Sequence, residues 1–323
     1  MKEEILKLLR ESDGFVSGQA LCSHFGVSRT AVWKVVRQLI QEGYEIEAVN
    51  RKGYRLMKAP DVINASEIMS RMHTQAFGKK VFYYDEVGST NNSAKLLAEQ
   101  GADHGSLVIS DVQTAGKGRR GRSWSSPSGC GIWMTLILRP DFKPSCAPML
   151  TVLAAMAVYD ALTGEGVSCK IKWPNDLIIN GKKICGILTE MSSELDFINY
   201  VVVGMGINVH NKSFPENIQT VATSLALEGF TVRRSNVIQK IMEAFELYYN
   251  RFVKEKSLAF IKEEYNRRLI HLNKEVYIID PSETRRGISR GIDSQGSLIV
   301  EIDGKEKHVM SGEVSVRGIL GYT

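Results

Sequence analysis

Four positive charges lie in one glycine-rich stretch near the middle of the chain. The stretch runs from Gln113 to Trp124, and its glycines and cations are Gly116, Lys117, Gly118, Arg119, Arg120, Gly121 and Arg122. Glycines let a backbone turn sharply and approach a ligand, and clustered cations attract an anion. We expect a mobile cationic loop, here called the flap (residues 113–124), that folds over a phosphate-bearing ligand. A solvated basic loop or a nucleic-acid-binding tail is the alternative.

Part of the flap, residues 116–123, also fits a loose P-loop pattern, with arginine in place of the usual lysine. A P-loop has to open a helix. Trp124, two serines and Pro127 follow, and they cannot begin one, so the P-loop interpretation is rejected.

Two later segments suit the same anionic ligand. Residues 172–179 run into the turn pair Asn180-Gly181, and the returning strand carries Lys183 and Gly186. A lysine on that strand could neutralise a carboxylate and then a phosphoryl oxygen, although a strand lysine is more often simply exposed. The missing side chain at Gly186 leaves room for a ligand against the sheet. Further on, a buried strand ends at Gly206 and Asn208.

The composition limits the classes of protein. A length of 323 residues suggests about two or three domains. The five cysteines are scattered without CxxC spacing, so neither a zinc site nor a redox pair is indicated. The first residues include acids and no apolar leader, and the longest apolar stretch, residues 150–162, falls short of the roughly 20 residues of a membrane span. The sequence therefore predicts a soluble intracellular protein.

The first 60 residues hold ten Lys and Arg against seven Asp and Glu. They predict three helices, with Ser17 and Ser28 as N-caps, and a hairpin around residues 50–53. The third helix has an apolar stripe of Val32, Val35, Val36, Leu39 and Ile40. Its other face and the hairpin tip carry the DNA-binding candidates Ser28, Arg29, Thr30, Trp33, Lys34, Arg37, Arg51 and Lys52. This is the winged helix-turn-helix pattern; a three-helix module for protein interaction is the alternative.

Strands and helices mix without βαβ alternation over residues 62–270, which indicates an α+β fold with a mixed sheet. The expected strands are 81–87, 106–111, 131–139 and 168–173, and the expected helices are 91–100, 147–163 and 235–253. Four short strands are expected near the C-terminus, at 275–280, 286–292, 297–301 and 307–310, as in a small SH3-like barrel.

Together these segments resemble the biotin protein ligases of the two-function class that also repress the biotin operon. The likeness runs over the whole chain and rests on several motifs in family order. They are SRTAVWK at 28–34, Ser89-Thr90-Asn91, the flap, KWPNDLIINGKKICG at 172–186, GMGIN at 204–208 and GISRGIDSQG at 287–296.

The resemblance implies three domains: a winged helix-turn-helix at 1–60, a class II synthetase-like ligase domain with a mixed sheet at 61–270, and an SH3-like domain at 271–323. It also implies a cytoplasmic enzyme with two steps. Biotin and Mg-ATP give biotinyl-5′-adenylate (biotinyl-5′-AMP), and biotin then passes to a lysine of biotin carboxyl carrier protein in acetyl-CoA or pyruvate carboxylase. The adenylate-bound homodimer would bind operator DNA as the repressor, with no membrane partner.

By the same resemblance, Lys183, Arg119 and Lys117 are the catalytic candidates. The residues expected to bind biotin or its adenylate are Ser89, Thr90, Asn91, Gln113, Lys117, Gly118, Arg119, Arg120, Arg122, Trp124, Lys183, Gly186, Gly206 and Asn208. The family commonly has arginine where this chain has Lys117, which keeps the charge and loses the bidentate fork. Asp176 is either a magnesium-side carboxylate or a residue that caps local amides.

Three functions stay open at this point. The first is a ligase that is also a repressor, the second a ligase whose winged domain has lost operator binding, and the third a ligand-sensing transcription factor on a retired enzyme fold. The intact Lys183 and flap argue against the third, and the basic third helix argues against the second. Lipoate ligases share a related core, and only the specific motifs separate them from this chain.

Overall fold

The computed structural model describes residues 1–280, 283–311 and 315–318. The N-terminal part has three helices and a hairpin: α1 (Lys2–Glu11), α2 (Gly18–Phe25), α3 (Arg29–Gln41), β1 (Glu45–Val49) and β2 (Gly53–Lys58). Ser17 and Ser28 accept the hydrogen bonds that cap α2 and α3, from the amides of Ala20 and Ala31. This confirms the winged helix-turn-helix prediction. The placement of Ile40 in the apolar stripe is wrong, because its side chain is 46% exposed at the end of the stripe.

The central part is built on a seven-stranded sheet. Its elements are α4 (Ala65–Met69), β3 (Val81–Val87), α5 (Thr90–Glu99), β4 (Leu107–Gln113), β5 (Gly131–Leu138), α6 (Met149–Thr163), β6 (Lys170–Lys172), β7 (Asp176–Ile179), β8 (Lys182–Ser193), β9 (Ile198–Asn208), α7 (Arg234–Glu255) and α8 (Lys262–Arg268). The strand order is β3-β4-β5-β9-β8-β7-β6, with β3 and β4 parallel and every other pair antiparallel. The predicted α+β class and mixed sheet are confirmed, with element ends that differ by one or two residues.

Helices cover both faces of this sheet. The long helices α6 and α7 pack against each other and on one face, where the main core lies, and α5 packs on the other face through Ala94 and Ala98. In the described part of the chain one helical segment, Pro144–Thr163, is long and apolar enough to cross a membrane, and 72% of it is buried inside the protein. Its apolar composition is therefore accounted for by its place in the core.

The C-terminal part is an antiparallel five-stranded sheet. Its strands are β10 (Glu275–Ile279), β11 (Thr284–Ile292), β12 (Leu298–Ile302), β13 (Lys305–Val309) and β14 (Ser315–Gly318), in the order β13-β12-β11-β10-β14. The first four match the predicted strands. The fifth, β14, was missed because its four residues have no alternating pattern, and only pairing with β10 makes it a strand. The end of the predicted domain, residues 319–323, lies outside the described residues.

A buried charge cluster joins the N-terminal and central parts. The carboxylate of Glu67 on α4 is fully buried. It accepts hydrogen bonds from Tyr44 Oη at 2.6 Å and Arg71 Nε at 2.7 Å, and one from Arg10 on α1. Arg71 also donates to Asn236 on α7 at 2.8 Å. Burial alone would raise the pKa of Glu67, but the two arginines hold it below its ordinary value.

Replacing Glu67 with alanine should destabilise the protein strongly, because Arg10 and Arg71 would remain buried side by side without an anion. We expect a loss of about 3–5 kcal/mol in the free energy of unfolding, measured by urea titration. The matched control is Glu47→Ala, which breaks a half-exposed pair with Arg55 and should cost less than about 1 kcal/mol. Equal losses in the two variants would contradict a coupling role for the cluster.

Candidate active site and nucleic-acid interface

The flap connects the ends of β4 and β5 and folds back on itself. The amide of Trp124 donates to the carbonyl of Gly116 at 2.9 Å, and the amide of Gly118 donates to the carbonyl of Arg122 at 2.7 Å. A Cβ atom at Gly116 would lie only 2.4 Å from the Trp124 carbonyl oxygen, so this crossing requires glycine. A short 3-10 turn, Arg119–Gly121, forms the tip, and β5 is the next element. No helix opens after the flap, as expected when the P-loop interpretation was rejected.

Two adjoining cavities lie under the flap, one of about 200 Å³ and one of about 40 Å³. They share five lining residues: Gly118, Arg119, Trp124, Asn175 and Lys183. Every residue predicted for ligand binding lines one or both. The smaller cavity has Ser89, Thr90, Asn91, Gln113, Lys117, Gly186 and Gly206, and the larger has Arg120, Arg122, Asp176 and Asn208. Segments 120 residues apart in the chain therefore meet at one place.

The ring of Trp124 lies between these cavities, on a floor made by two glycines. Gly186 on β8 and Gly206 on β9 are register partners. A Cβ atom at Gly186 would come within 2.9 Å of the ring, and one at Gly206 within 2.6 Å. The room predicted at Gly186 is therefore filled by the indole of the flap. The indole Nε1 is buried and has no hydrogen-bond partner among the described residues.

The hairpin of β7 and β8 presents Lys183 to both cavities. Asn180 and Gly181 have φ values of 49° and 78°, so the predicted turn with two positive φ angles is confirmed. Lys183 Nζ lies 2.6 Å from Asp176 Oδ1 and 5.2 Å from the centroid of the Trp124 ring. The ammonium therefore stands at the junction of the two cavities, paired with the carboxylate of the neighbouring strand.

Arg119 is the flap cation that reaches deepest. It donates to Asn175 Oδ1 at 3.2 Å and to the carbonyl of Ser311 in the C-terminal part. Burial lowers the pKa of its guanidinium, and Asp176 opposes that shift. Lys117 instead turns outward and donates to Asn92 at 3.2 Å. The two flap cations predicted for catalysis, Arg119 and Lys117, thus lie in different surroundings.

Sequence reasoning missed Lys172 as a member of the site. Its side chain is 7% exposed and lines the larger cavity beside Asp176. Burial is the main cause that lowers its pKa to about 8; Asp176 opposes the shift, and Lys183 and Arg317 add to it. Alternation along β6 places Lys172 on the same face as the exposed Lys170, so the strand pattern carried no local signal for its burial.

The C-terminal part supplies one wall of the larger cavity, with Ser315, Val316 and Arg317. Arg120 donates to Ser315 Oγ at 3.4 Å, and the Trp173 indole donates to the carbonyl of Gly296 at 3.0 Å. No local pattern marked Ser315, Val316 and Arg317, since the C-terminal sheet and the flap are joined only by tertiary packing. The C-terminal domain therefore contacts the central one at the site.

Among the described residues, Asp176 belongs to no cluster that could hold a metal ion. Within the described ranges no group of three His, Cys, Asp or Glu side chains is placed to hold a metal ion. Asp176 instead pairs with Lys183 and lies close to Lys172 and Arg119. A carboxylate among cations is a poor isolated ligand for Mg²⁺, which prefers several oxygen ligands.

The nucleic-acid interface predicted from sequence is exposed in the structure. Ser28, Arg29, Thr30, Trp33, Lys34 and Arg37 face solvent along α3, and Arg51 and Lys52 do so at the hairpin tip. A cleft of about 450 Å³ separates the start of α3 from the tip. Arg37 lies over the Trp33 ring at 5.1 Å, and Arg29 donates to Gln19 at 3.0 Å. One helix and one basic hairpin therefore project from the same side.

The buried Lys172 should make stability depend on pH. Its folded pKa of about 8 lies below the ordinary value of 10.5, so between these values the unfolded chain binds more protons and the free energy of unfolding rises with pH. Between pH 8 and pH 10.5, the free energy of unfolding of the wild type, measured by urea titration, should rise by up to about 3 kcal/mol relative to that of Lys172→Met. The matched control is Lys170→Met, an exposed lysine of the same strand, which should follow the wild type. Parallel pH profiles of wild type and Lys172→Met would contradict the burial effect.

Comparison with known families matches three parts of the chain. Residues 2–55 match the HTH domain, residues 83–208 the Biotin/lipoate A/B protein ligase family, and residues 271–317 the Biotin protein ligase C terminal domain. The solved biotin protein ligase from Aquifex aeolicus in complex with biotin and ATP has 29% identity and a TM-score of 0.65, covering 74% of this chain and 99% of that one.

Curated relatives match over nearly the full length. The bifunctional ligase/repressor BirA of Bacillus subtilis is 40% identical, with 98% of each chain covered. The protein of the same name from Escherichia coli is 30% identical, with 97% of this chain and 96% of that one covered. The chain therefore belongs to the biotin protein ligase family, in its class of bifunctional ligase/repressors.

Proposed function

We propose that this protein joins biotin to ATP, giving biotinyl-5′-adenylate and pyrophosphate, and transfers biotin to a lysine of biotin carboxyl carrier protein. We further propose that the adenylate-bound protein dimerises and represses the operons for biotin synthesis and transport. One observation carries the ligase proposal: the flap, the Lys183 strand and the Gly206 strand end converge on two joined cavities that share Lys183 and Arg119. A reaction that joins two anions needs cations at such a junction.

Biotin is assigned to the smaller cavity. Its polar wall, formed by Thr90, Asn91 and Gln113, suits the hydrogen-bonding groups of a ureido ring, and Met134 and Met205 on the same lining suit the apolar remainder. The valerate carboxylate would then point to Lys183 at the junction. Biotin is placed in this orientation because the Lys183 ammonium stabilises a carboxylate, whereas the polar wall carries no charge.

The nucleotide is assigned to the larger cavity. Lys172, Arg122 and Arg317 offer charge for phosphates, and Trp124, Phe214 and Val221 offer apolar surface for a base. Asn208 is fixed there by its hydrogen bond to the Thr223 carbonyl at 3.0 Å. ATP would arrive as its magnesium complex, so the metal belongs to the substrate and Asp176 lies beside its path.

In the first step a carboxylate oxygen of biotin attacks the α-phosphorus of ATP. The new O–P bond forms as the bond to the β-phosphate oxygen breaks, and pyrophosphate leaves with its electron pair. Lys183 and Arg119 lie where negative charge would gather, so they would lower the barrier by neutralisation and positioning. No acid–base residue is needed for this displacement.

In the second step the neutral amine of the carrier lysine attacks the acyl carbon of the adenylate. The amide bond forms, the bond between the acyl carbon and the phosphate oxygen breaks, and AMP leaves with that electron pair, while the amine nitrogen gives its surplus proton to water. The mixed anhydride must be kept from water until that encounter. The flap, tied to the C-terminal part by Arg119 and Arg120, would close over it and exclude water.

Repression is assigned to α3 and the basic hairpin. The projecting cations on α3 would enter the major groove while Arg51 and Lys52 reach the phosphate backbone. A two-fold operator requires a homodimer, and dimer formation driven by the adenylate would make repression follow the supply of biotin. All of these reactants are cytoplasmic, and we place the protein there.

A direct assay separates the three candidate functions. The protein is incubated with biotin, Mg-ATP and a carrier domain, and with DNA from upstream of a biotin operon. We expect biotin on the carrier, and a DNA mobility shift only when the adenylate can form. Arg37→Gln should weaken DNA binding and relax its base preference, whereas Gln41→Ala, exposed on the same helix, should not. Transfer without a shift would support a ligase alone, and a shift without transfer a sensor alone.

Two variants should separate the steps of the ligase reaction. Lys183→Ala should lower pyrophosphate exchange by about 100-fold or more, as for the loss of one electrostatic group. Arg119→Ala should still form the adenylate but release it, which is measured as free adenylate after gel filtration. The control is Lys182→Ala, an exposed neighbour on the same strand. Normal exchange in the first variant, or full retention of adenylate in the second, would count against these roles.

A further inference from the structure

Two polar side chains support the wall of the smaller cavity from behind. Thr135 on β5 is fully buried, and Glu190 on β8 is half-buried. Neither lines the smaller cavity. Both contact Asn91, and Thr135 also contacts Thr90, so any effect they have on a ligand passes through these two lining residues.

The amide of Asn91 is held in one orientation. Its Nδ2 donates to Glu190 Oε2 at 2.7 Å and to the carbonyl of Leu188 at 3.2 Å, and its Oδ1 lies 2.7 Å from Thr135 Oγ1. Reversing the amide would put its oxygen against two acceptors. The amide also packs directly on Gly204, where an added Cβ atom would lie only 2.1 Å from Asn91 Oδ1.

This orientation sets the direction of the neighbouring hydrogen bonds. An amide oxygen can only accept, so the one hydroxyl proton of Thr135 is directed to Asn91. Thr90 Oγ1 lies 2.8 Å from Thr135 Oγ1 and 3.1 Å from Gln113 Oε1. The hydroxyl proton of Thr90 has an acceptor within the polar wall. A lone pair of Thr90 Oγ1 therefore remains to accept a hydrogen bond from a ligand in the cavity. Gln113 is fixed in turn, because its Oε1 accepts from the Thr90 amide and its Nε2 donates to Ser126 at 2.8 Å.

The charge on Glu190 is what makes the orientation firm. Burial alone would raise its pKa, but hydrogen bonds from Lys95 and Asn91 hold that pKa below the ordinary value. Glu190 is therefore an acceptor throughout the neutral pH range. A neutral side chain there could accept or donate, and the carbonyl of Leu188 would then be the one fixed acceptor that keeps Nδ2 on that side.

We propose that Glu190 and Thr135 are positioning residues for biotin: through Asn91 they fix the hydrogen-bond directions of the wall, so that Thr90 Oγ1 accepts an N–H of the ureido ring. This inference rests on the proposed ligase function and adds the residues that determine recognition of the ring. It assigns them no contact with biotin and no part in the chemical step.

Steady-state kinetics of the full-length protein test the proposal. Thr135→Val removes the hydroxyl at nearly constant volume and should raise KM for biotin about tenfold, the size expected when a buried hydrogen bond is lost. Thr135→Ser keeps the hydroxyl and should restore the wild-type value. Glu190→Gln should also raise KM for biotin, whereas the control Glu194→Gln, at an exposed acid of the same hairpin, should not. In all variants kcat and KM for ATP should stay within about twofold.

Calorimetric titration with biotin in the absence of ATP gives a second readout that does not need activity. The affinity of Thr135→Val and of Glu190→Gln for biotin should fall by the same factor by which KM for biotin rises. The thermal unfolding of Thr135→Ser should be the same as that of the wild type. Wild-type affinity in both variants, or equal losses in Thr135→Val and Thr135→Ser, would overturn the positioning role alone. A wild-type protein that binds no biotin and exchanges no pyrophosphate would overturn the proposed function, and this inference with it.

Discussion

The ion pair between Lys183 and Asp176 is the interaction on which the rest of the site depends. Lys172 and Arg119 lie near the same carboxylate, so three cations are gathered around one anion in a partly buried place. Burying cations without a counter-charge is costly, and Asp176 makes the cluster tolerable in the folded protein. The surplus positive charge is what two anionic reactants require. In the proposed mechanism, stability and reactivity therefore draw on the same small group of charges.

The central sheet turns distant segments into neighbours. Strands β8 and β9 bring Gly186 opposite Gly206, and the turn at Asn180-Gly181 brings Asp176 beside Lys183. The two glycines leave the floor flat enough for the Trp124 ring to lie on it. A flap anchored at both ends to sheet strands can thus reach across the site and remain tied to a rigid frame. The polar wall of the smaller cavity is held by the same strands.

The outer parts of the chain meet this frame in different ways. The C-terminal part touches the reaction site directly, through Ser311 and Ser315 against the flap arginines. The N-terminal part is joined to the central part through the buried carboxylate of Glu67. It is also joined through the linker, the short segment that follows β2, where Asp61 pairs with Arg234 and His210. Arg234 also lies 3.6 Å from Asp111, which binds the amide of Gly129 just beyond the flap. A continuous set of polar contacts therefore runs from the linker to the end of the loop that follows the flap.

The sequence by itself determined the local features. Caps at Ser17 and Ser28, the Asn180-Gly181 turn, the periodicity of the long helices and the glycine-cation composition of the flap are set by neighbouring residues, and they were predicted closely. The family motifs also named many of the residues that line the two cavities. Only the tertiary structure decided that Lys172 is buried beside Asp176, that Trp124 fills the space over Gly186, and that Ser315 and Arg317 form a wall. Such features depend on which surfaces pack together and on how much water they exclude, and no spacing within a single segment records either quantity.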